Sequence, residues 1–244
     1  MNKSVIIIPT YNERRNIPLL LPKIFQTIPE IDVMVTDDNS PDGTGNLVEE
    51  LKKIYPRLFL FRRASKEGLG KAYIDSSKKI LRMGEYETVV MMDGDMSHDP
   101  KYLPEILRLA ETHDLVIGSR YITGSGITKK WGLLRRVLSA GGNIYLRILF
   151  SFSIHDWTTG FNAISARALA KMDFTLLSPK GYAFISSLKY YLLKQKASCV
   201  ETPIFFEERR GGESKMSWPI IREGLTAPWK IRARGFFQES WENS

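Results

Sequence analysis

Apolar and polar positions alternate in blocks along the first half of the chain. Short β-rich apolar runs at Val5–Ile8, Asp32–Thr36, Arg57–Phe61, Glu87–Met92 and Asp114–Gly118 predict strands. Between them lie stretches of helical periodicity. These are Ile17–Ile28 opened by Asn16 and Pro18, a helix capped by Thr44 and running through Tyr55, Leu69–Met83 and Pro100–Glu111. Strands separated by about ten to fifteen helical residues imply right-handed crossovers and a largely parallel sheet flanked by helices. The expected class is therefore a single α/β domain, with its ligand site beyond the carboxyl ends of the strands.

The alternation loosens after Gly118. Leu133–Phe150 predicts an amphipathic helix, weakened or bent at Gly141-Gly142. Leu133, Leu134, Val137, Leu138, Ile144, Tyr145, Ile148 and Leu149 share one side of it, and Arg135, Arg136, Ser139, Asn143 and Arg147 lie opposite. A helix at Tyr182–Lys194, a strand at Ser198–Phe205 and a basic C-terminal segment follow.

Composition narrows the class. With 244 residues, 43% hydrophobic and 25% charged, the chain is globular rather than disordered or fibrous. One cysteine, Cys199, excludes an internal disulfide and a multi-cysteine metal cage. A net charge of +8 favours anionic partners. The N-terminal hydrophobic run is too short for a signal peptide, and no stretch reaches the roughly 18 apolar residues of a membrane span. A cytoplasmic location is the expectation.

Met91-Met92-Asp93-Gly94-Asp95 ends the fourth predicted strand. In extended chain, residues i and i+2 face one side, so Asp93 and Asp95 can both address one ligand. Paired carboxylates repel unless a cation lies between them, and hard oxygens suit Mg2+ or Mn2+. Asp37-Asp38 ends the second strand, and Pro9-Thr10-Tyr11-Asn12-Glu13 follows the first. Tyr11 offers a flat face to a base and Glu13 an acceptor for base N–H groups, so three loops converge at one sheet edge. Gly68-Leu69-Gly70-Lys71-Ala72 resembles half of a phosphate-cradling loop but completes neither the dinucleotide nor the P-loop pattern. Arg120 and the glycine-flanked Arg209, Arg210 and Lys215 lie where a diphosphate needs cations, the latter group in a loop able to act as a lid.

Together, Ile7–Glu13, Asp37–Thr44 and Met92–Pro100 resemble the family 2 glycosyltransferases, and more narrowly the dolichyl-phosphate (polyprenyl-phosphate) mannosyltransferase branch. The similarity continues through Gly118–Tyr121, Trp131 with Arg135, Ser139 and Asn143, Asp156–Phe161, Gly181–Phe184 and Arg209–Lys215, which is nearly the whole chain. It implies a GT-A (Rossmann-like) domain over 1–215; residues 216–244 read by their own composition as a basic amphipathic segment without a transmembrane helix. It further implies a GDP-mannose donor, an isoprenoid lipid phosphate acceptor, Mg2+ or Mn2+, and inversion at the anomeric carbon. Carried over by motif, Pro9, Tyr11, Glu13, Thr36 and Asp38 hold the nucleoside, while Asp93, Gly94 and Asp95 bind ribose, metal and diphosphate. Asp93, Asp95 and Ser97 are the implied metal ligands; Arg120, Arg209 and Lys215 neutralise phosphates; Arg120, Arg135 and Ser139 meet the acceptor phosphate. Asp95, Arg120 and Arg209 carry catalysis.

Two positions depart from the family pattern: Ser97, where relatives carry Gln or another ligand, and Ser187, where they tend to carry glutamate. A phosphate acceptor, with a second pKa of about 6, is largely dianionic at neutral pH and needs no general base. The lost carboxylate therefore fits a lipid phosphate better than a sugar hydroxyl. Trp229, Phe236 and Phe237 beside Lys230, Arg232 and Arg234 suit a membrane surface, through peripheral attachment at the cytoplasmic face or a small membrane-embedded partner. The alternatives are a family 2 transferase using a UDP-sugar such as UDP-glucose, and a non-catalytic binding protein. No nucleic-acid motif is present, and the acids cluster where nucleic acid would dock.

Overall fold

The computed structural model describes residues 3–128, 132–178, 183–206, 222 and 224–234. Its strands are β1 (Ser4–Thr10), β2 (Asp32–Asp37), β3 (Leu58–Arg62), β4 (Thr88–Met91), β5 (Leu115–Ser119), β6 (Gly126–Ile127), β7 (Asn162–Ser165), β8 (Cys199–Pro203) and β9 (Phe205–Phe206). Its helices are α1 (Ile17–Thr27), α2 (Thr44–Leu51), α3 (Leu69–Met83), α4 (Leu103–Ala110), α5 (Leu133–Leu149), α6 (Ala166–Ala170) and α7 (Ala183–Lys194). A seven-stranded sheet runs in the order β3-β2-β1-β4-β7-β5-β8, and β6 pairs with β9 alongside it.

Both faces of the sheet are covered, which is why its strands read as unbroken apolar runs. Val5, Ile7, Val89 and Met91 pack with Tyr73 and Ile74 of α3 and Phe184 and Leu188 of α7. Ile6, Ile8, Val90 and Met92 pack with Leu20 and Ile24 of α1 and Leu103 and Ile106 of α4. The order of connection reverses between β1 and β4, the crevice where sheets of this kind hold ligands.

Three expectations change. β7 is antiparallel to both its neighbours, a departure from parallel pairing in a segment too short to announce itself. Thr44 begins α2 rather than capping it: Gly43, at φ +80°, precedes the helix, and Asp42 accepts from Thr44 N at 2.9 Å. The predicted strand over 198–205 breaks at Ile204. As predicted, a helix covers the stretch after Gly132: α5 spans Leu133–Leu149 and includes Gly141-Gly142.

The sides of α5 are arranged against simple expectation. Leu133, Val137, Leu138, Ile144 and Ile148 are exposed, while Asn143 is buried and Ser139 half-buried. Asn143 accepts from Trp157 N at 2.8 Å and donates to Thr158 Oγ1 at 3.2 Å, so hydrogen bonds draw the polar side inward. Beside it, the helical stretch 224–234 packs through Ile231, whose carbonyl accepts from Tyr191 on α7, and Tyr145 donates to Leu225 O. No helix among the described residues is long and apolar enough to cross a membrane.

Candidate active site

The loop after β1 is stapled to the loop after β2. Asp38 N donates to Thr10 O, Asn12 N to Ser40 Oγ, Glu13 N to Thr44 Oγ1 and Arg14 N to Asp42 Oδ2, all between 3.0 and 3.1 Å. Asn12, Asn39 and Met96 adopt positive φ values of 64°, 55° and 68°, one in each of the three converging loops. Asparagine visits this region readily in turns, whereas a methionine there is held by its surroundings, and Met96 lies between Asp95 and Ser97; the fourth such residue, Lys196, sits in the turn after α7.

Asp93 and Asp95 follow β4 beside the β1 loop: a Cβ built on Gly94 would meet Ile8 and Thr10 side chains at 3.3 and 3.5 Å and Glu13 at 3.7 Å. Asp95 is 7% exposed, and its Oδ1 accepts from both the backbone N–H and the hydroxyl of Ser97. Asp93 N donates to His98 Nδ1 at 3.0 Å, and Tyr73 OH lies 3.5 Å from Asp93 Oδ1. His98 is buried, stacked on Phe161 with centroids 4.9 Å apart and edge-on to Phe206. Among the described residues no cluster of three or more His, Cys, Asp or Glu could hold a metal. The available set is therefore two carboxylates with Ser97 as a third oxygen. These hard donors fit Mg2+ or Mn2+, which fill their remaining positions with water and phosphate oxygens.

The remaining predicted residues divide between surface and scaffold. Pro9 is buried in β1, and Thr36 is fully buried with its hydroxyl 2.6 Å from Ser76 Oγ. Tyr11 is at the surface with Lys66 Nζ 3.8 Å from its ring centre, and Glu13 accepts from Asn16 Nδ2 at 2.6 Å. Asp38 is ion-paired with the buried Arg63 and accepts from Glu67 N and Gly68 N at 3.3 Å. The half phosphate loop thus cradles an anion, and that anion is the chain's own Asp38. Arg209, Arg210 and Lys215 lie outside the described residues, as do Trp131, Gly181, Tyr182, Phe236 and Phe237.

Arg120 projects from the end of β5 into a buried fork with Asp156: Nε to Oδ2 and Nη2 to Oδ1, both 2.8 Å. Nη2 also donates to Thr158 Oγ1 at 2.6 Å. Asp156 further accepts from the backbone of Arg120, Thr158 and Thr159. Burial alone would raise the Asp156 carboxyl, but Arg120 and the N–H donors bring it down to about 2. The guanidinium lies 5.3 Å from the Phe206 ring, the ring that His98 meets edge-on, so Phe206 joins the two halves of the site. Tyr121 OH donates to Ser139 Oγ at 2.6 Å, placing that side of α5 next to Arg120's strand, and Arg135 is half-buried on the same helix.

Arg63, Lys66, His98 and Asp156 organise the site without having drawn a role from sequence. Arg63 and Lys66 had a signal, since they precede Gly68; His98 and Asp156 act through backbone and side-chain partners that only the fold supplies. His98→Phe retains the ring against Phe161 but leaves Asp93 N–H without its acceptor, a loss worth about 1–3 kcal/mol. His98→Asn retains an acceptor close to Nδ1. Turnover is expected to fall about tenfold in the phenylalanine variant and less in the asparagine variant, as steady-state kinetics on both will show.

Paired acids beside the β1/β4 crevice of a largely parallel α/β sheet suit a phosphate-bearing ligand with a divalent cation, and comparison with known proteins gives the class: a glycosyltransferase. Residues 5–172 match the profile described as Glycosyl transferase family 2. The chain is 42% identical over 236 residues to polyprenol monophosphomannose synthase of Mycolicibacterium smegmatis, covering 95% of this chain and 88% of that protein. It is 40% identical over 241 residues to undecaprenyl-phosphate mannosyltransferase of Micrococcus luteus, covering 95% and 98%. The fold is similar to a mannosyltransferase from Pyrobaculum calidifontis solved with GDP-Man and Mn2+ (TM-score 0.66, 20% identity, 96% of this chain, 64% of that one). It is also similar to glucosyl-3-phosphoglycerate synthase from Mycobacterium tuberculosis (TM-score 0.69, 16% identity, 95% and 80%). The chain belongs to glycosyl transferase family 2.

Proposed function

We propose that this enzyme transfers mannose from GDP-mannose to a polyprenyl phosphate at a membrane surface, inverting the anomeric carbon. The observation that carries this reading is the orientation of α5, with Ser139 and Asn143 turned toward the Arg120 loop and an aliphatic face toward solvent. An acceptor with a phosphate head and an isoprenoid tail needs a wall with those two sides. The names of the two curated relatives support the same acceptor and sugar.

Tyr11 and Glu13 would line the nucleoside pocket, with Pro9, Thr36 and Asp38 shaping it from beneath. Asp93 and Asp95, with Ser97, would hold Mg2+ or Mn2+ beside the donor diphosphate. Bound there, the ion supplies positive charge opposite the departing diphosphate. An oxygen of the acceptor phosphate attacks the anomeric carbon from the face opposite the diphosphate; the sugar–oxygen bond breaks and GDP leaves with that electron pair. No proton needs removal from the nucleophile. Arg120, Arg135 and Ser139 would orient the acceptor phosphate, and Arg120, Arg209 and Lys215 would lower repulsion between two anionic substrates.

The test is incubation with labelled GDP-mannose, Mg2+ or Mn2+, and undecaprenyl phosphate. Labelled lipid is expected; its absence, with transfer from UDP-glucose instead, would overturn the donor assignment. Membrane attachment has its own measurement. Ile144 and Ile148 are 56% and 65% exposed, and Trp229 is 60% exposed on the adjoining helix near Lys230, Arg232 and Arg234. Each aliphatic side chain taken from water contributes about 1.5–3 kcal/mol. The chain is expected to float with anionic vesicles, and Ile144→Asp with Ile148→Asp to reduce the floated fraction at least about tenfold.

A further inference from the structure

α7 is apolar along most of its length, and Lys189 sits in its middle with only 1% of its surface exposed. Lysine is almost never fully buried without partners, and long cationic side chains normally reach outward to water. This one reaches inward. Its Nζ donates to Asp156 O at 2.7 Å and to Thr159 O at 3.0 Å. From the other side, Glu201 on β8 accepts from His155 N at 2.8 Å and Asp156 N at 3.0 Å. A buried cation thus grips the carbonyls of the 155–159 loop while a carboxylate grips its N–H groups. The same loop supplies the Asp156 and Thr158 oxygens that fix the Arg120 guanidinium.

We infer that Lys189, seconded by Glu201, is a positioning residue for Arg120, locking the 155–159 loop so that the guanidinium, forked onto Asp156, is held in one orientation beside the substrate phosphate. Hydrophobic packing of α7 would be served better by leucine or methionine, because a buried ammonium carries a desolvation penalty that only its partners offset. Burial pushes the Lys189 ammonium down to about 8, while Asp156 and Glu201 oppose that fall and Arg120 adds to it. What the lysine adds is direction: one ammonium ties the carbonyls of Asp156 and Thr159 together across Trp157-Thr158, with Asn162 Nδ2 donating to the Thr159 carbonyl as well at 3.0 Å. Displacement of a substrate-orienting group by about 1 Å can cost on the order of 100-fold in rate.

This inference rests on the reading that Arg120 meets substrate phosphate, and a double-mutant cycle separates the two. Transfer from GDP-mannose to undecaprenyl phosphate is measured for the wild type, Lys189→Met, Arg120→Lys and the double variant, with thermal midpoints alongside. Arg120→Lys keeps a charge but loses the two-pronged geometry that positioning serves. Lys189→Met is expected to lower kcat/KM at least about tenfold in the Arg120 background and less than about threefold in the Arg120→Lys background, the non-additivity of coupled residues. Equal losses in both backgrounds would show that Lys189 only supports the fold, and no loss in the first would dismiss it altogether. Full activity in Arg120→Lys would instead remove the phosphate role of Arg120 itself. Glu201→Gln, which keeps the size of the side chain, is the second probe if Lys189→Met does not fold. A loss that again disappears with Arg120→Lys supports positioning, and an additive one contradicts it.

Discussion

Asp95→Asn is expected to lower mannosyl transfer by roughly 1,000-fold or more while the protein stays folded. The reasoning starts from Asp95's surroundings. The carboxylate is buried and its Oδ1 is aimed by two donors from Ser97, so its orientation is set before any substrate arrives. Asparagine has the same shape and still offers an oxygen to the Ser97 N–H, which leaves the loop intact. It removes the negative charge, and with it half of the charge that Asp93 and Asp95 together would present to a dication bound between them and the donor diphosphate. A thermal midpoint within about 2 °C of wild type, reflecting 1 kcal/mol or less, together with residual transfer near background is the expected pair of measurements. Near-normal turnover would detach Asp95 from the chemistry.

Asp156→Ala is the second large effect, and it falls on stability as well as rate. Removal of the carboxylate leaves Arg120 buried without its counter-ion and strips acceptors from the backbone N–H groups of Arg120, Thr158 and Thr159. Breaking a buried pair in this way costs about 3–5 kcal/mol, which for a chain of this size lowers the melting temperature by roughly 6–20 °C. Differential scanning calorimetry measures it directly. The pH dependence has a definite sign. The folded carboxyl lies at about 2, below its ordinary value of 3.8. Its contribution is therefore full above about pH 4 and is lost as the pH falls toward 2, amounting to about 2 kcal/mol. Asp156→Asn, with nothing to titrate there, is expected to lack that segment of the acid-unfolding curve.

Much of the fold could be read directly from residue pattern. β1, β2, β4 and β5 are continuous apolar runs because both sheet faces are covered, and such runs bounded by turn residues are hard to mistake. β7 could not be read, since Asn162-Ala163-Ile164-Ser165 is four residues long and its antiparallel pairing leaves no trace in composition. Periodicity gathered the exposed aliphatic residues of α5 on one side, together with Leu149, which is buried, but it carries no information on which side meets the protein. That is decided by the buried Leu146 and Leu149 and by hydrogen bonds across to other segments: Asn143 accepts from Trp157 N and donates to Thr158 Oγ1, and Ser139 accepts from Tyr121.

The same division runs through the site. The carboxylate loops were legible because paired acids at strand ends are chemically conspicuous. Their supports were not: His98 acts through a ring nitrogen on Asp93's backbone, and Lys189 lies in a helix whose other residues say only that it is buried. Asp38 was conspicuous in sequence, but its partners Arg63 and the start of α3 were not.

The most direct measurement is GDP affinity by calorimetric titration with Mn2+ and with chelator, in the wild type and in Asp95→Asn. If Asp93 and Asp95 hold a cation against the donor's diphosphate, the wild type binds GDP at least about tenfold more tightly with Mn2+, and the variant loses that difference. Equal affinity with and without Mn2+ in the wild type would contradict the paired-carboxylate site at its foundation.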